Sequence, residues 1–329
     1  MSAQEETLRH LAQIPNLQVL EHVPLSRYTR FGIGGPADVY AQTEDEATFI
    51  HALRLVRSSG LRYVVIGGGT NLVVSDAGFS GVVLRFKAHR IWTEGNSVHA
   101  DAGAELQDLV DFAVERGLKG VETMTGIPGS VGAAIYGNAG AYGHSIMERV
   151  HSVRFFDGAT VRVFGNAQCE FHYRESVFKR YKDWIVFSTE LRMDAAQPEE
   201  LRQVAGGILN TRNRKYPPSM KCAGSIFKNL IVAELPDRVQ EMIPLNVIRE
   251  GKAPSAYFLE QVGAKGLQNG DIHVADYHAN LIYNAGRGTA RELREVIEDL
   301  KRRVQGHFGL QLEEEVQYVG FGPDDTRAA

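Results

Sequence analysis

Glycine is spread unevenly along this chain. Residues 32–143 hold 19 of the 34 glycines in 112 positions, about 17% against the usual ~7%. A glycine inside a helix or strand costs about 0.5–1 kcal/mol relative to alanine. So dense a run calls for an explanation. It has no collagen period, and it keeps apolar runs such as RYVVI (62–66), so low-complexity disorder is also excluded. Something in this region requires backbone without side chains.

The remaining composition narrows the class. A length of 329 residues suggests two domains or three and a core that needs no disulfide or metal staple. The charge balance of 36 basic against 40 acidic residues leaves no electrostatic footprint for nucleic acid or an anionic membrane. Cys169 and Cys222 lie far apart and form no CxxC pair, and no HExxH motif or carboxylate cluster suggests a metal. The polar start MSAQEETLRH is unlike a signal peptide. Thr123–Met147 lacks charged residues over 25 positions but carries six glycines and Pro128, a poor match to a membrane span. A cytoplasmic protein is expected.

Local patterns give a coarse order of elements. Thr43-Glu-Asp-Glu46 has capping-box spacing ahead of Phe49, Ile50, Leu53 and Val56, a helix running to Gly60. RYVVI (62–66), LVV (72–74) and VVLRF (82–86) read as strands. Leu106, Leu109, Val110, Ala113 and Val114 mark a second helix ending near Gly117. Short strands fill 150–193, and Leu201, Val204, Ala205 and Ile208 suggest a helix before Pro217-Pro218. Thr289 and Glu292 open a capped helix, and 312–320 reads as a closing strand. Without a βαβ cadence, the fold class is α+β. The expected division is residues 1–194 (lobes about 20–86 and 87–194), 200–310, and a segment 311–329 that returns to the site.

The glycines form two clusters. Gly67-Gly68-Gly69-Thr70-Asn71 follows a strand, where glycines let successive N–H groups converge on an anion. The sequence fails both the dinucleotide fingerprint and the P-loop, so a tight turn explains this cluster about as well as a ligand loop. Gly126, Gly129 and Gly132, then Gly137, Gly140 and Gly143, recur every three residues. Extended loops approaching a flat or phosphorylated ligand explain them better than a helix stripe, which glycine would destabilise.

Longer motifs make the reading specific. RFGIGGPA (30–37), IGGGTNL (66–72), GIPGSVG (126–132) and NAGAYG (138–143) together resemble the UDP-N-acetylenolpyruvoylglucosamine reductase family, over about residues 20–320. The resemblance implies an FAD-binding region of the vanillyl-alcohol oxidase type, followed by a substrate-binding domain. It implies noncovalent FAD held by Gly67, Gly68, Gly69, Thr70 and Asn71 at the pyrophosphate. Gly126, Ile127, Pro128, Gly129, Ser130, Gly132, Asn138 and Gly140 would take the remainder. It also implies NADPH as co-substrate, a UDP-sugar enolpyruvyl ether as substrate, a monomer, a role in peptidoglycan synthesis, and the family's shorter-loop subtype, since no long insertion lies between 176 and 184.

The second half carries the chemistry. YRES (173–176) reads from composition alone as an exposed strand with an Arg–Glu pair of small value. It is similar to a family motif whose arginine contacts substrate, and a planar cation suits the enolpyruvyl carboxylate. In GSIFKN (224–229) a serine after glycine is ordinarily a turn residue; in the family this serine donates a proton, which assigns that role to Ser225. Leu230 stands where the family has proline. Period two cannot choose among Glu313, Glu314 and Glu315, whereas the family motif selects Glu315. Arg174, Ser225 and Glu315 are thus the catalytic candidates. Tyr173, Lys228, Asn229, Gln261 and His278 are the substrate-binding ones, although His278 is about equally well read as a hydrogen-bonded loop residue. Glu315 would have to hold a proton beside developing negative charge.

Two rivals compete with this reading. One is another noncovalent-FAD oxidoreductase of the same fold; no His or Cys for a covalent flavin link occurs in 62–86 or 118–143. The other is a sugar-nucleotide-binding protein without redox chemistry, which the joint presence of Arg174, Ser225 and Glu315 disfavours.

Overall fold

A computed structural model describes residues 3–322. Met1, Ser2 and residues 323–329, the last part of the segment expected to return to the site, lie outside the described residues. The architecture is α+β, as the mixed pattern predicts. Helix α1 (Ala3–Ala12) leads into a four-stranded sheet ordered Gln18–Pro24, Pro36–Thr43, Phe79–Phe86, Tyr63–Val65. Its first pair is antiparallel and the other two pairs are parallel. Helix α2 (Glu46–Ser59) crosses between parallel strands and buries Phe49, Ala52, Leu53 and Val56 against the sheet.

The start of α2 differs from the capping-box reading. Asp45, not Thr43, is the N-cap, its carboxylate accepting from the Thr48 amide at 2.7 Å. The Thr43 hydroxyl instead accepts from the Asp45 amide and turns the chain into the cap. The preceding strand runs through Thr43, so the helix begins two positions later than the capping box places it, with Asp45 as an equally competent cap.

A five-stranded antiparallel sheet follows, ordered Val161–Gly165, Val150–Phe156, Ile185–Arg192, Ser97–Asp101, Ile91–Glu94. Helices α3 (Leu106–Glu115) and α4 (Val131–Tyr136) pack on it and share one core with its inward side chains. The six-residue α4 lies inside the second glycine cluster, where an extended loop was expected. Ser130 caps it by accepting from the Ala133 amide. Of that cluster's glycines only Gly132 falls within the helix and Gly137 ends it, so the glycine cost that argued against a helix is scarcely incurred.

Four-residue α5 (Val177–Arg180) and long α6 (Pro198–Lys215) lead into the C-terminal region. There a three-stranded antiparallel sheet, Gln268–Asn269, Ile272–Ala275 and His278–Asn284, is covered by the helices Ser255–Gln261 and Ala290–Phe308. The latter is capped as its sequence predicts, by reciprocal bonds between Thr289 and Glu292, and Gly309 ends it in the left-handed region. The expected closing strand is shorter than 312–320. Only Gln317–Val319 forms a strand, parallel to Leu72–Val74, while within Leu312–Val316 a single antiparallel bridge joins Glu314 to Phe227. That pairing brings residues 317–319 beside the segment that follows the first glycine loop.

Candidate functional site

The glycine loops fit one another closely. A Cβ on Gly69 (φ 67°) would lie 1.6 Å from the Tyr28 carbonyl oxygen. On Gly129 (φ 114°) it would lie 2.7 Å from the Thr70 hydroxyl oxygen, and on Gly68 it would lie 3.2 Å from the Gly129 Cα. Loop 67–71 thus lies backbone to backbone against 128–130. The two clusters that look independent in sequence form one wall.

Behind that wall Asn138, buried and at φ 43°, donates through Nδ2 to the His172 carbonyl and accepts from the Met147 amide. It ties the second glycine loop to the YRES segment. That segment is a turn, not the strand its composition suggests. Arg174 sits at φ 57°, a conformation costly for a side-chain-bearing residue and held by its surroundings. Ser176 donates to the Tyr136 carbonyl at 2.7 Å and caps α5, and Lys179 Nζ donates to the Arg174 carbonyl at 2.9 Å. So held, the Arg174 guanidinium donates through Nε to Glu315 Oε1 at 3.2 Å and through Nη2 to the Gly140 carbonyl at 3.0 Å.

The three consecutive glutamates, indistinguishable by period, part company in space. Glu313 pairs with Lys228, Glu314 with Lys301 and the Tyr318 hydroxyl, and Glu315 with Arg174. Burial raises the Glu315 carboxyl above the usual carboxylate range, against the pull of Arg174. Its backbone is clamped from two sides. The Glu315 amide donates to the Ile226 carbonyl at 2.7 Å, and Asn71 Nδ2 donates to the Glu315 carbonyl at 2.8 Å. The Asn71 side chain is therefore committed to the returning chain.

The Ile226–Lys228 backbone lies beside 313–315, with the Lys228 amide donating to the Glu313 carbonyl. Asn280 fixes the other side, exchanging two side-chain bonds with the backbone of Phe227. Lys228 is nearly buried; burial opposes its charge, yet hydrogen bonds to Glu175 and Glu313 raise its pKa. Ser225, just after Gly224 in the left-handed region, is 3.3 Å from the Tyr216 hydroxyl.

These segments enclose a cavity of about 570 Å³. Arg174, Ser225 and Glu315 all line it, as do Tyr173, Lys228 and Asn229. Of the cofactor candidates, Thr70, Asn71, Gly126, Ile127, Pro128, Ser130 and Gly140 line it. Gly67, Gly68, Gly69, Gly129, Gly132 and Asn138 stand behind the lining. Gln261 and His278 lie outside it. Gln261 is exposed at the end of its helix, and the His278 ring accepts from the Asn280 amide at 3.1 Å. Burial lowers His278 to about 4, so it is neutral at physiological pH.

Sequence reasoning missed Arg30, Tyr136, Arg212, Tyr216 and Gln317, all of which line the cavity. Arg212 and Tyr216 sit in the basic run TRNRKYPP (211–218), whose prolines read only as punctuation. The Arg212 Nε is buried without a hydrogen-bond partner among the described residues. A buried guanidinium nitrogen in that condition is costly unless it meets an acceptor. With Arg30 and Arg212 at one wall and Leu106, Ile127, Ala133 and Ala134 beside them, the lining fits an anionic ligand with a flat apolar part, as FAD is. Among the described residues no group of His, Cys, Asp and Glu could hold a metal, and no helix is long and apolar enough to cross a membrane.

Residues 37–163 match a family described as FAD binding domain, and 216–319 match UDP-N-acetylenolpyruvoylglucosamine reductase, C-terminal domain. A protein of that reductase name from Solibacter usitatus is 64% identical over 310 residues, 94% of this chain and 99% of that protein. Another from Clostridium perfringens is 30% identical over 303 residues, 90% of this chain and 91% of its own. The crystal structure of the reductase of that name from Thermus caldophilus superposes with a TM-score of 0.71 at 28% identity, over 92% of this chain and 98% of that one.

Proposed function

The chain belongs to the UDP-N-acetylenolpyruvoylglucosamine reductase family and is an FAD-dependent oxidoreductase, and from that premise we propose that it reduces the enolpyruvyl ether of UDP-N-acetylglucosamine with NADPH as electron donor. The product would be UDP-N-acetylmuramate, a peptidoglycan precursor, made in the cytoplasm. Thr70, Ser130, Arg30 and Arg212 would hold FAD. When bound, the flavin supplies a hydride carrier that serves first NADPH and then the substrate.

The chain's own groups do the remaining work. Arg174 and a protonated Glu315 would grip the substrate carboxylate, with Tyr173, Lys228 and Asn229 beside it. Arg174 is permanently charged and planar, suited to a carboxylate whose charge grows as the double bond accepts hydride. A neutral Glu315 adds a hydrogen bond without the repulsion an ionised one would bring. Ser225 would then deliver a proton to the carbon next to the carboxylate.

The observation that carries this reading is the meeting of Arg174, Glu315 and Ser225 in a single cavity whose far wall is the paired glycine loops. Anaerobic spectroscopy tests it. NADPH should bleach the bound flavin, and the enolpyruvyl UDP-sugar should restore its colour in a single turnover. A yellow protein that NADPH bleaches but the sugar nucleotide fails to reoxidise would instead be another flavin oxidoreductase of this fold.

A further inference from the structure

A serine hydroxyl is a weak acid, and giving up its proton leaves an alkoxide in a part-buried cavity. A second donor must therefore share the charge and restore the proton. Among the described residues, the hydroxyl that meets Ser225 Oγ is the Tyr216 phenol, at 3.3 Å. Its ring is closely held. Tyr216 ends α6 with its amide donating to the Arg212 carbonyl, and Pro217 follows at once, which disfavours the helical conformation for its backbone. One part of the ring packs with Cys222 and Leu281. Two cations face it: Lys215 Nζ lies 5.0 Å and Arg212 Cζ 5.5 Å from its centroid. Positive charge there favours any negative charge that develops on the phenol oxygen.

We propose that Tyr216 is a positioning residue for Ser225 that also resupplies its proton. As the Ser225 O–H bond breaks toward the substrate carbon, the Tyr216 O–H donates to Ser225 Oγ. Water then returns a proton to the Tyr216 oxygen, so the pair ends as it began. The inference rests on the reductase reading above and adds to it the donor behind the donor.

The test is Tyr216→Phe in the FAD-loaded protein, which keeps the ring and removes the hydroxyl. NADPH bleaching should stay within about twofold, while reoxidation by the enolpyruvyl UDP-sugar should slow about tenfold, the worth of one hydrogen bond. In mixed H₂O/D₂O the wild-type reoxidation rate should curve, two protons being in flight, and the variant should give a straight line. Thermal unfolding of the flavin-free protein should not move. If the variant fails to fold, 3-fluorotyrosine at 216 keeps the hydroxyl and alters its acidity, and only reoxidation should change. Unaltered reoxidation beside a normal wild type, or equal slowing of both half-reactions, overturns the inference. A wild type that the sugar nucleotide cannot reoxidise overturns the functional reading, and this inference with it.

Discussion

The two walls of the cavity are built on opposite principles. The glycine loops hold their shape because atoms are missing: a Cβ would strike the Tyr28 carbonyl at Gly69 and the Thr70 hydroxyl at Gly129, and would crowd the Gly129 backbone at Gly68. The facing wall holds its shape because side chains cross it, with Arg174, Lys228 and Asn280 each joining two or more segments. One wall should therefore fail when an atom is added and the other when a group is removed. The failures should also differ in kind. Addition costs fold, whereas removal at Ser225 costs chemistry.

The largest expected effect is at Gly69. Alanine there must take a left-handed backbone, costing about 1–3 kcal/mol, and must also displace the Tyr28 carbonyl. Gly69→Ala should yield little soluble protein, or protein whose melting temperature has fallen by about 10 °C or more. A Gly69→Ala protein that melts like the wild type would break the comparison outright. Ser225→Ala comes next. Its stability should lie within about 1 kcal/mol of wild type, and NADPH should still bleach the flavin. Reoxidation by the enolpyruvyl substrate should slow by about 10²-fold or more, the usual worth of a positioned general acid. Equal slowing of both half-reactions would mean that Ser225 supports structure.

Smaller effects follow from two groups whose pKa values move in opposite directions. Burial raises Glu315, so above about pH 4.5 the folded protein keeps a proton that the unfolded chain releases. Stability then falls as pH rises through that window. Glu315→Gln should flatten this fall, and urea unfolding at stepped pH reads it. Burial lowers His278 from 6.5 to about 4, so the unfolded chain binds the proton first. Its contribution is present above pH 6.5 and is lost between about 6.5 and 4, by at most about 3 kcal/mol. His278→Gln should remove that acid sensitivity without touching the reaction. A loss of substrate binding on that substitution would instead put His278 in the site.

Legibility followed the same division. Period and caps located the helices Glu46–Ser59, Leu106–Glu115 and Ala290–Phe308 because those signals are local. Glycine density located the paired loops, but not that Gly68 and Gly129 meet each other, a contact across 61 positions. Among the three glutamates only distant partners distinguish them: Lys228, Lys301 and Arg174. Tyr216 escaped notice for a related reason. Its meaning lies in a contact with Ser225 made across the chain reversal at Pro217-Pro218, where sequence shows only a break.

The smallest effect reverses the sign of the largest and so sharpens the comparison most. Gly206 and Gly207 lie inside α6, at ordinary helical backbone, and a Cβ on either would meet nothing within 4 Å. No close approach and no left-handed turn requires glycine there, so its only consequence is a looser helix. Alanine at each site should stabilise the protein, by up to about 1 kcal/mol apiece, with both half-reactions unchanged. The same substitution, glycine to alanine, would then be ruinous at 69 and helpful at 206 and 207. The difference is the Tyr28 carbonyl. If Gly206→Ala and Gly207→Ala instead lowered the melting temperature, the contrast between the two kinds of glycine would no longer follow from space alone.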